Sequence, residues 1–368
     1  MSIAIITGST GLVGSEAVNF FHDKGFDVIG IDNNLRKLFF GNNGSTSWLK
    51  SELLKRNKNF KNYNIDIRNS DGVTKIFKKY SKKISVVIHC AAQPSHDYGK
   101  KFPFLDFNVN ATGTLNLLEL TKKYSPSAPF IFMSTNKVYG DNPNRLNIYE
   151  KSTRWELKKS DKNYKGIKEN FSIDNATHSF FGVSKTYADL IVQEYGKNIG
   201  LKTVCFRGGC ITGPNHSGAT LHGFLSYLVK ACLSQKKYNL IGYKGKQVRD
   251  NLHSHDLVNC FWEFYKRPRN GEIYNMGGGR YSNCSIIEAL NSATPVIGTN
   301  HAAIPEIILN GANGFIVDEQ SPKQIADCII KLNEFNIWKE FARNARNSFL
   351  QNYCQEKVFN FFKKIFIE

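Results

Sequence analysis

The sequence predicts an α/β chain organised around a doubly wound parallel sheet. Three observations predict it. Apolar strand-like runs alternate with segments whose apolar residues recur at helical spacing; the first strand runs directly into a glycine-rich turn that opens a helix; and the second strand ends on an acid, Asp32. Strands that alternate with helices pair in parallel through right-handed crossovers, which lays helices over both faces of an open sheet.

The elements follow in order. Ile3 to Thr7 is an apolar run short enough for a buried strand, and Leu12 to Lys24 carries apolar residues on one helical face. Phe26 to Asp32 is the second strand. Val86 to His89, Phe130 to Ser134 and Thr203 to Arg207 are further strands, separated by helices over Phe104 to Lys123 and Phe181 to Asn198. Two stretches break the alternation: residues 35–61, rich in Asn, Gly, Lys and Ser around Phe39, Phe40 and Trp48, and residues 141–177, polar and without a period. Both are expected as long surface excursions.

At 368 residues the chain exceeds one ordinary domain, and two lobes are expected. Its 41% hydrophobic and 13% aromatic content is enough for a packed core, which excludes a disordered chain. The cysteines, at 90, 205, 210, 232, 260, 284, 328 and 354, form no CxxC pair and no paired spacing, so no disulfide framework and no metal site is expected. The net charge of +18 is spread along the chain, mostly as lysine, so it reads as a solvated surface and nucleic acid is not a predicted partner. No basic segment precedes the first apolar run, and no stretch approaches the roughly 18 apolar residues of a membrane span. A cytoplasmic protein without membrane contact is expected.

Gly8, Gly11 and Gly14 form GxxGxxG between a strand and a helix, the context that gives this pattern its meaning. The first glycine permits the tight turn, the second lets backbone approach a pyrophosphate, and the third allows close helix packing, with Leu12 and Val13 between them. The helix amides then favour phosphate charge. Asp32 stands where a carboxylate accepts both hydrogen bonds of an adenosine ribose diol, which favours NAD; Arg36, four residues on, would instead pair with the 2′-phosphate of NADP.

The TGxxGxxG spacing, Asp66-Ile67, His89-Cys-Ala-Ala-Gln93, Asn108-Val-Asn-Ala-Thr-Gly-Thr114 and Ser134-Thr-Asn-Lys-Val-Tyr-Gly140 resemble an extended short-chain dehydrogenase/reductase of the nucleotide-sugar epimerase and dehydratase group. Within it, DNNLRKLFFG, CAAQPSHD, STNKVYGD, FRGGCITGPNHSG and GYKGKQVRDNLHSHD are similar to the CDP-paratose (CDP-tyvelose) 2-epimerase branch, over residues 1–284. The resemblance implies a Rossmann-type sheet with a smaller nucleotide-sugar lobe drawn mainly from residues 208–284, and bound NAD bordered also by Asn33, Asp66, Ile67, Ala91, Ala92, Gln93 and Lys185. It also implies epimerisation by transient oxidation of a sugar hydroxyl and return of the hydride to the other face.

The family's base is a tyrosine four residues before a lysine, and here the segment reads Phe181-Gly-Val-Ser-Lys185. A phenyl ring exchanges no proton. Thr135 stands where the family places its substrate-aligning hydroxyl. For the missing base, His96 is the first candidate and His178 the second, and Lys185 acts directly if a dry pocket lowers its pKa. Asn136 and Lys137 occupy the positions of the dehydratase Asp and Glu, which disfavours dehydration. Arg249 matches the family arginine on the substrate pyrophosphate, and Asn215, His216 and His222 fall in the segment that frames the nucleotide, expected as CDP.

Residues 285–368 resemble the C-terminal part of a family-4, GT-B type glycosyltransferase through SIIEAL, PVIGTNHAAIPEII and NGANGFIV, as though two genes were joined. The family's E-x7-E would pair Glu288 with position 280, which is Arg280, and no acceptor lobe precedes it. The tail is expected as an αβ appendage with helices over Pro322 to Asn333, Ile337 to Asn352 and Glu356 to Phe366. The resemblance further implies a homodimer through the helices at 104–123 and 181–198. The competing readings are a noncatalytic or impaired NAD or nucleotide-sugar binding protein, favoured by Phe181, and a glycosyltransferase remnant.

Overall fold

The computed structural model describes residues 2–218, 223, 226–227, 244, 246–279, 282–285, 296–299, 310–312, 314–318, 321, 324, 327–328, 331, 337, 340–341 and 343–344. In chain order its main elements are β1 (Ile3–Thr7), α1 (Leu12–Asp23), β2 (Asp27–Ile31), α2 (Arg36–Phe40), α3 (Ser47–Arg56), β3 (Phe60–Tyr63), α4 (Ser70–Tyr80), β4 (Ile84–His89), α5 (His96–Lys101), α6 (Pro103–Phe107), α7 (Gly113–Tyr124), β5 (Phe130–Thr135), β6 (Ile148–Glu150), β7 (Trp155–Leu157), α8 (Ser179–Lys197), β8 (Thr203–Gly208), β9 (Cys210–Thr212), β10 (Val248–Arg249), β11 (Asn251–His253), α9 (Ser254–Lys266) and β12 (Glu272–Met276). By internal contact the chain divides into two units: residues 1–151, 155–227 and 249–283, and residues 152–154, 228–248 and 284–368.

The first unit is built on a seven-stranded sheet in the order β12-β8-β5-β4-β1-β2-β3, every neighbour parallel. Strand order therefore reverses between β1 and β4, and the crevice beyond their carboxyl ends is where such sheets bind ligands. Side chains alternate along β1, so Ile3 and Ile5 enter one core with Phe77, Leu117, Leu118, Phe130 and Val192, while Ala4 and Ile6 enter the other with Val18, Phe21, Leu53, Phe206 and Phe261. A parallel sheet buried on both faces needs apolar residues at successive positions, which is why IAIIT reads as an unbroken run.

Two expectations need correction. Residues 35–61 are no structureless excursion: they hold α2, α3 and the start of β3. The signal was Leu49 and Leu53, one helical turn apart and both buried, inside a segment otherwise polar enough to hide it. The helix expected over Phe104 to Lys123 is interrupted by a π-helical segment at Asn108–Thr112, which carries Asn110 into the interior. Residues 141–177 do form a polar excursion, with the antiparallel β6–β7 pair, and it is pinned: Asn142 Nδ2 donates to Ser172 and Asp174 carbonyls, and Asn275 Nδ2 donates to Ile167 O at 2.8 Å.

In the second unit, Val296–Thr299 and Gly314–Val317 form a parallel pair. Asn310 Oδ1 accepts from Ile316 N–H at 2.9 Å, and the Phe315 and Phe341 rings pack 4.9 Å apart. The described residues between 324 and 331, and between 337 and 344, are helical. Arg280, Glu288 and the helix expected over Glu356 to Phe366 lie outside the described residues. Among the described residues no helix is long and apolar enough to cross a membrane.

Candidate functional site

The glycine turn is fixed by its own backbone. Gly8 N–H donates to Ile31 O at 2.9 Å and Gly11 N–H to Gly8 O at 3.0 Å. Gly8 has φ +67°, and a Cβ there would stand 2.7 Å from Ala91 N; a Cβ on Gly14 would overlap Gly8 O. Larger residues at either position would push α1 off the turn. Gly11 caps α1 without a side chain and the first turn holds no acid, so the helix amides and positive dipole end stay available to an anion.

One strand away, Asp32 Oδ2 accepts from Thr10 N–H at 2.9 Å and Oδ1 from Asn34 N–H at 2.7 Å. A carboxylate offers about four lone-pair sites, so each oxygen keeps capacity for a ribose hydroxyl. Asn33 Nδ2 donates to Asp66 Oδ2 at 3.0 Å, and Arg68 grips the same carboxylate through Nε and Nη2. Burial alone would raise the Asp66 pKa, but the hydrogen bonds from Arg68 and Asn33 outweigh it and hold the group below the usual carboxylate range. Arg36 Nη2 donates to Ser217 O at 2.8 Å and its guanidinium lies 4.7 Å from the Phe40 ring centre; burial brings its pKa down to about 10. That carbonyl holds a donor a 2′-phosphate would need.

At the other end, β5 delivers Thr135 and α8 delivers Phe181 and Lys185, one turn apart. Lys185 is buried; its Nζ donates to Met133 O at 2.8 Å and lies 4.0 Å from the Phe132 ring centre. Burial lowers its pKa to about 8, against the smaller opposing effect of nearby acidic groups. The phenyl ring of Phe181 meets the His96 ring edge-on at 4.9 Å, and His96 Nδ1 pairs with Ser179 Oγ at 2.8 Å. Burial first, and the charge of Lys137 second, lower the His96 pKa.

A cavity of about 350 Å³ joins these regions. Gly8, Gly11, Leu12, Val13 and Gly14 line it at the turn; Asp32, Asn33, Arg36, Asp66 and Ile67 beyond the ends of β2 and β3; Ala91, Ala92, Thr135, Phe181 and Lys185 beyond the ends of β4 and β5 and on α8. These residues fit a dinucleotide: an open helix N-terminus for its pyrophosphate and an acid with spare lone pairs for its ribose.

Gln93 does not join them. It is fully buried, its side chain bonded to Ser95 and Asp106 and its N–H to Asn110 Oδ1, so it braces the loop from beneath. His96 is not among the lining residues. His178 faces backbone carbonyls with both ring nitrogens, Lys137 O at 3.2 Å and Ile173 O at 2.8 Å. Both nitrogens are turned to backbone and His178 does not line the cavity, so the structure does not bring this second candidate base to the site. Asn215 and His216 lie at the dinucleotide end: Asn215 Nδ2 donates to Ser15 Oγ at 3.2 Å, and His216 lines the cavity, its pKa brought to about 4 by burial and then by Arg36. Arg249 is exposed at the end of β10. His222 lies outside the described residues. Sequence reasoning missed Met133 and Gly208 to Cys210, which also line the cavity; FRGGC after an apolar strand was the available signal.

Comparison with known proteins gives two family matches: the NAD dependent epimerase/dehydratase family over residues 4–277, and the group 1 glycosyl transferases over residues 275–334. The chain is 32% identical to the CDP-paratose 2-epimerase of Salmonella typhi over 290 residues, which is 77% of this chain and 81% of that protein. It is 28% identical to the UDP-glucuronate 4-epimerase of Thermodesulfobacterium geofontis over 76% of each chain. Among solved structures it superposes on the UDP-glucose 4-epimerase of Thermus thermophilus in complex with NAD, with a TM-score of 0.61 and 22% identity, covering 96% of this chain and 100% of that one.

Proposed function

We propose that the chain, which belongs to the NAD dependent epimerase/dehydratase family, is a nucleotide-sugar epimerase acting at C2 of a CDP-activated sugar. The observation that carries this reading is one cavity continuous from the glycine turn and Asp32 to Thr135, Phe181 and Lys185. The choice of a CDP sugar rests on the 32% identity to the CDP-paratose 2-epimerase.

NAD is the cofactor of this family, and when bound it supplies a reversible hydride acceptor beside the sugar carbon. The chain's own residues do the rest. The Thr135 hydroxyl orients the sugar hydroxyl. That hydroxyl must give up its proton to a base, and Phe181 has none to offer. Lys185 lines the cavity, is anchored by Met133 O, and has a pKa near 8, so a substantial neutral fraction can take the proton at Nζ. His96 is the first candidate from sequence; the lining of the cavity favours Lys185 over it. Met133, Phe132 and Phe181 keep water from the ammonium.

Phe181 favours a second reading, a protein that binds NAD and a nucleotide sugar without turning it over. The match to group 1 glycosyl transferases spans residues 275–334 alone and supports no transfer chemistry. We also propose a homodimer: Phe104, Phe107, Val183, Tyr187 and Leu190 expose an apolar face across α6 and α8. The deciding experiment incubates the full chain with CDP-paratose and resolves the epimers chromatographically, after absorbance of the denatured protein has shown bound NAD. Epimer formation supports the first reading; bound NAD without turnover leaves the second.

A further inference from the structure

The loop after β4 and the helix α8 line the cavity from distant stretches of the chain: Ala91, Ala92 and Pro94 from the loop, Phe181 and Lys185 from the helix. Both are tied to one buried carboxylate. Asp106, in α6, is 1% exposed; its Oδ2 accepts from Ser184 Oγ and its Oδ1 from Gln93 Nε2, each at 2.5 Å. Each tie lands beside a lining residue: Ser184 precedes Lys185, and Gln93 stands between Ala92 and Pro94. Gln93 passes the tie on, its Oε1 accepting from Ser95 N–H at 2.5 Å, and Ser95 Oγ caps α5 by accepting from Tyr98 N–H at 3.2 Å. Asn110 Nδ2 closes the ring, donating to Ser184 Oγ at 3.0 Å and to Gln93 O at 3.1 Å. Helix α5 leaves room for the carboxylate: a Cβ on Gly99 would stand 2.8 Å from Asp106 Oδ1.

The donors to Asp106 are all neutral: Ser184, Gln93 and, at 3.4 Å, Asn110. Burying a carboxylate on neutral donors costs stability that an apolar side chain of similar size would not. What the carboxylate provides instead is geometry. Two acceptor oxygens on one rigid plane fix the separation of loop and helix, which apolar contacts would let slide. Lys185 is on the helix so held, and its Nζ can take a proton only within about 3 Å of the sugar hydroxyl.

We propose that Asp106 is a positioning residue for the proton transfer: through Ser184 and Gln93 it holds Lys185 and the wall from Ala91 to Pro94 in place, and it touches no substrate itself. The inference rests on the epimerase reading above, with Lys185 as the base.

The test follows turnover of CDP-paratose by the full chain as wild type, Asp106→Ala, Asp106→Asn, Ser184→Ala and the double variant Asp106→Ala/Ser184→Ala, at a temperature where circular dichroism shows each to be folded. Asp106→Ala frees both ties; its kcat should fall about tenfold or more with KM little changed, since a displacement of about 1 Å is enough for such a loss. Asp106→Asn should retain most of the wild-type rate. Its amide oxygen still accepts from Gln93, and its NH2 donates to Ser184 Oγ, whose own hydrogen turns to Phe181 O, 3.0 Å away. Ser184→Ala keeps the Gln93 tie and carries the same test should Asp106→Ala not fold, with a lower kcat and an unchanged KM. The double variant should be no slower than Asp106→Ala, because the Ser184 link is already broken there. A wild-type kcat in folded Asp106→Ala or Ser184→Ala, or a loss in Asp106→Asn as deep as in Asp106→Ala, overturns the proposal and leaves the epimerase reading intact. A wild-type chain that binds NAD and leaves CDP-paratose unchanged overturns that reading, and the proposal with it.

Discussion

Substitution of Lys185 separates proton transfer from folding. With a pKa of about 8, Lys185 is neutral in about one molecule in ten at pH 7 and in about nine of ten at pH 9. A rate that depends on neutral Nζ should therefore climb about tenfold between those values and level off above. Lys185→Met should abolish turnover, as should Lys185→Arg, whose guanidinium stays charged throughout. Stability also rises with pH, over a higher window. The folded pKa lies below the ordinary 10.5, so the unfolded chain binds more protons between pH 8 and 10.5, and wild-type stability should rise with pH across that window. Below pH 8 the buried charge opposes folding by about 3 kcal/mol, part of which the Met133 carbonyl offsets, so Lys185→Met should be as stable as wild type or more so at pH 7. Initial rates from pH 6.5 to 9.5 and urea unfolding of both proteins are the assays. A rate that is flat or falls with rising pH, or a Lys185→Met protein that still turns over, would refute the assignment.

Three further outcomes are expected. Phe181→Tyr places a phenol in the cavity one helical turn from Lys185 and should raise the rate at pH 7 by about 10²; a folded variant no faster than wild type would show that the lysine route is already complete. Asp189→Ala strands the buried Arg207 guanidinium, now held at 2.7 Å, and should cost about 3–5 kcal/mol in denaturant unfolding; a loss under about 1 kcal/mol would mean that Tyr139 and the Glu169 carbonyl suffice for it. Phe104→Glu, at a ring 85% exposed, should convert a dimer to a monomer by light scattering; an unchanged mass would remove that face as the interface.

Where one period ruled a segment, it was legible in the sequence. The run Ile3 to Thr7, the glycine turn, and the helix bearing Phe181 and Lys185 all stand where the pattern puts them, because burial on both faces of a parallel sheet demands such patterns. The rest depended on contacts between distant residues. Leu49 and Leu53 mark a helix only once its opposite face is known to meet solvent. Nothing local in His89-Cys-Ala-Ala-Gln93 tells that Gln93 turns inward; its partners Asp106 and Asn110 come from α6 and its π-helical continuation. The same holds for His178, turned to two backbone carbonyls, and for Asn215, drawn to Ser15 across 200 residues of chain.

The central claim is that the turn at Gly8 to Gly14, with Asp32, grips the adenosine half of NAD. Calorimetric titration of the stripped wild-type chain with NAD, beside Asp32→Ala, tests it most directly. A one-to-one isotherm for wild type, weakened about tenfold or more in Asp32→Ala, is the predicted result. Heat equal to buffer dilution for the folded wild type would contradict it.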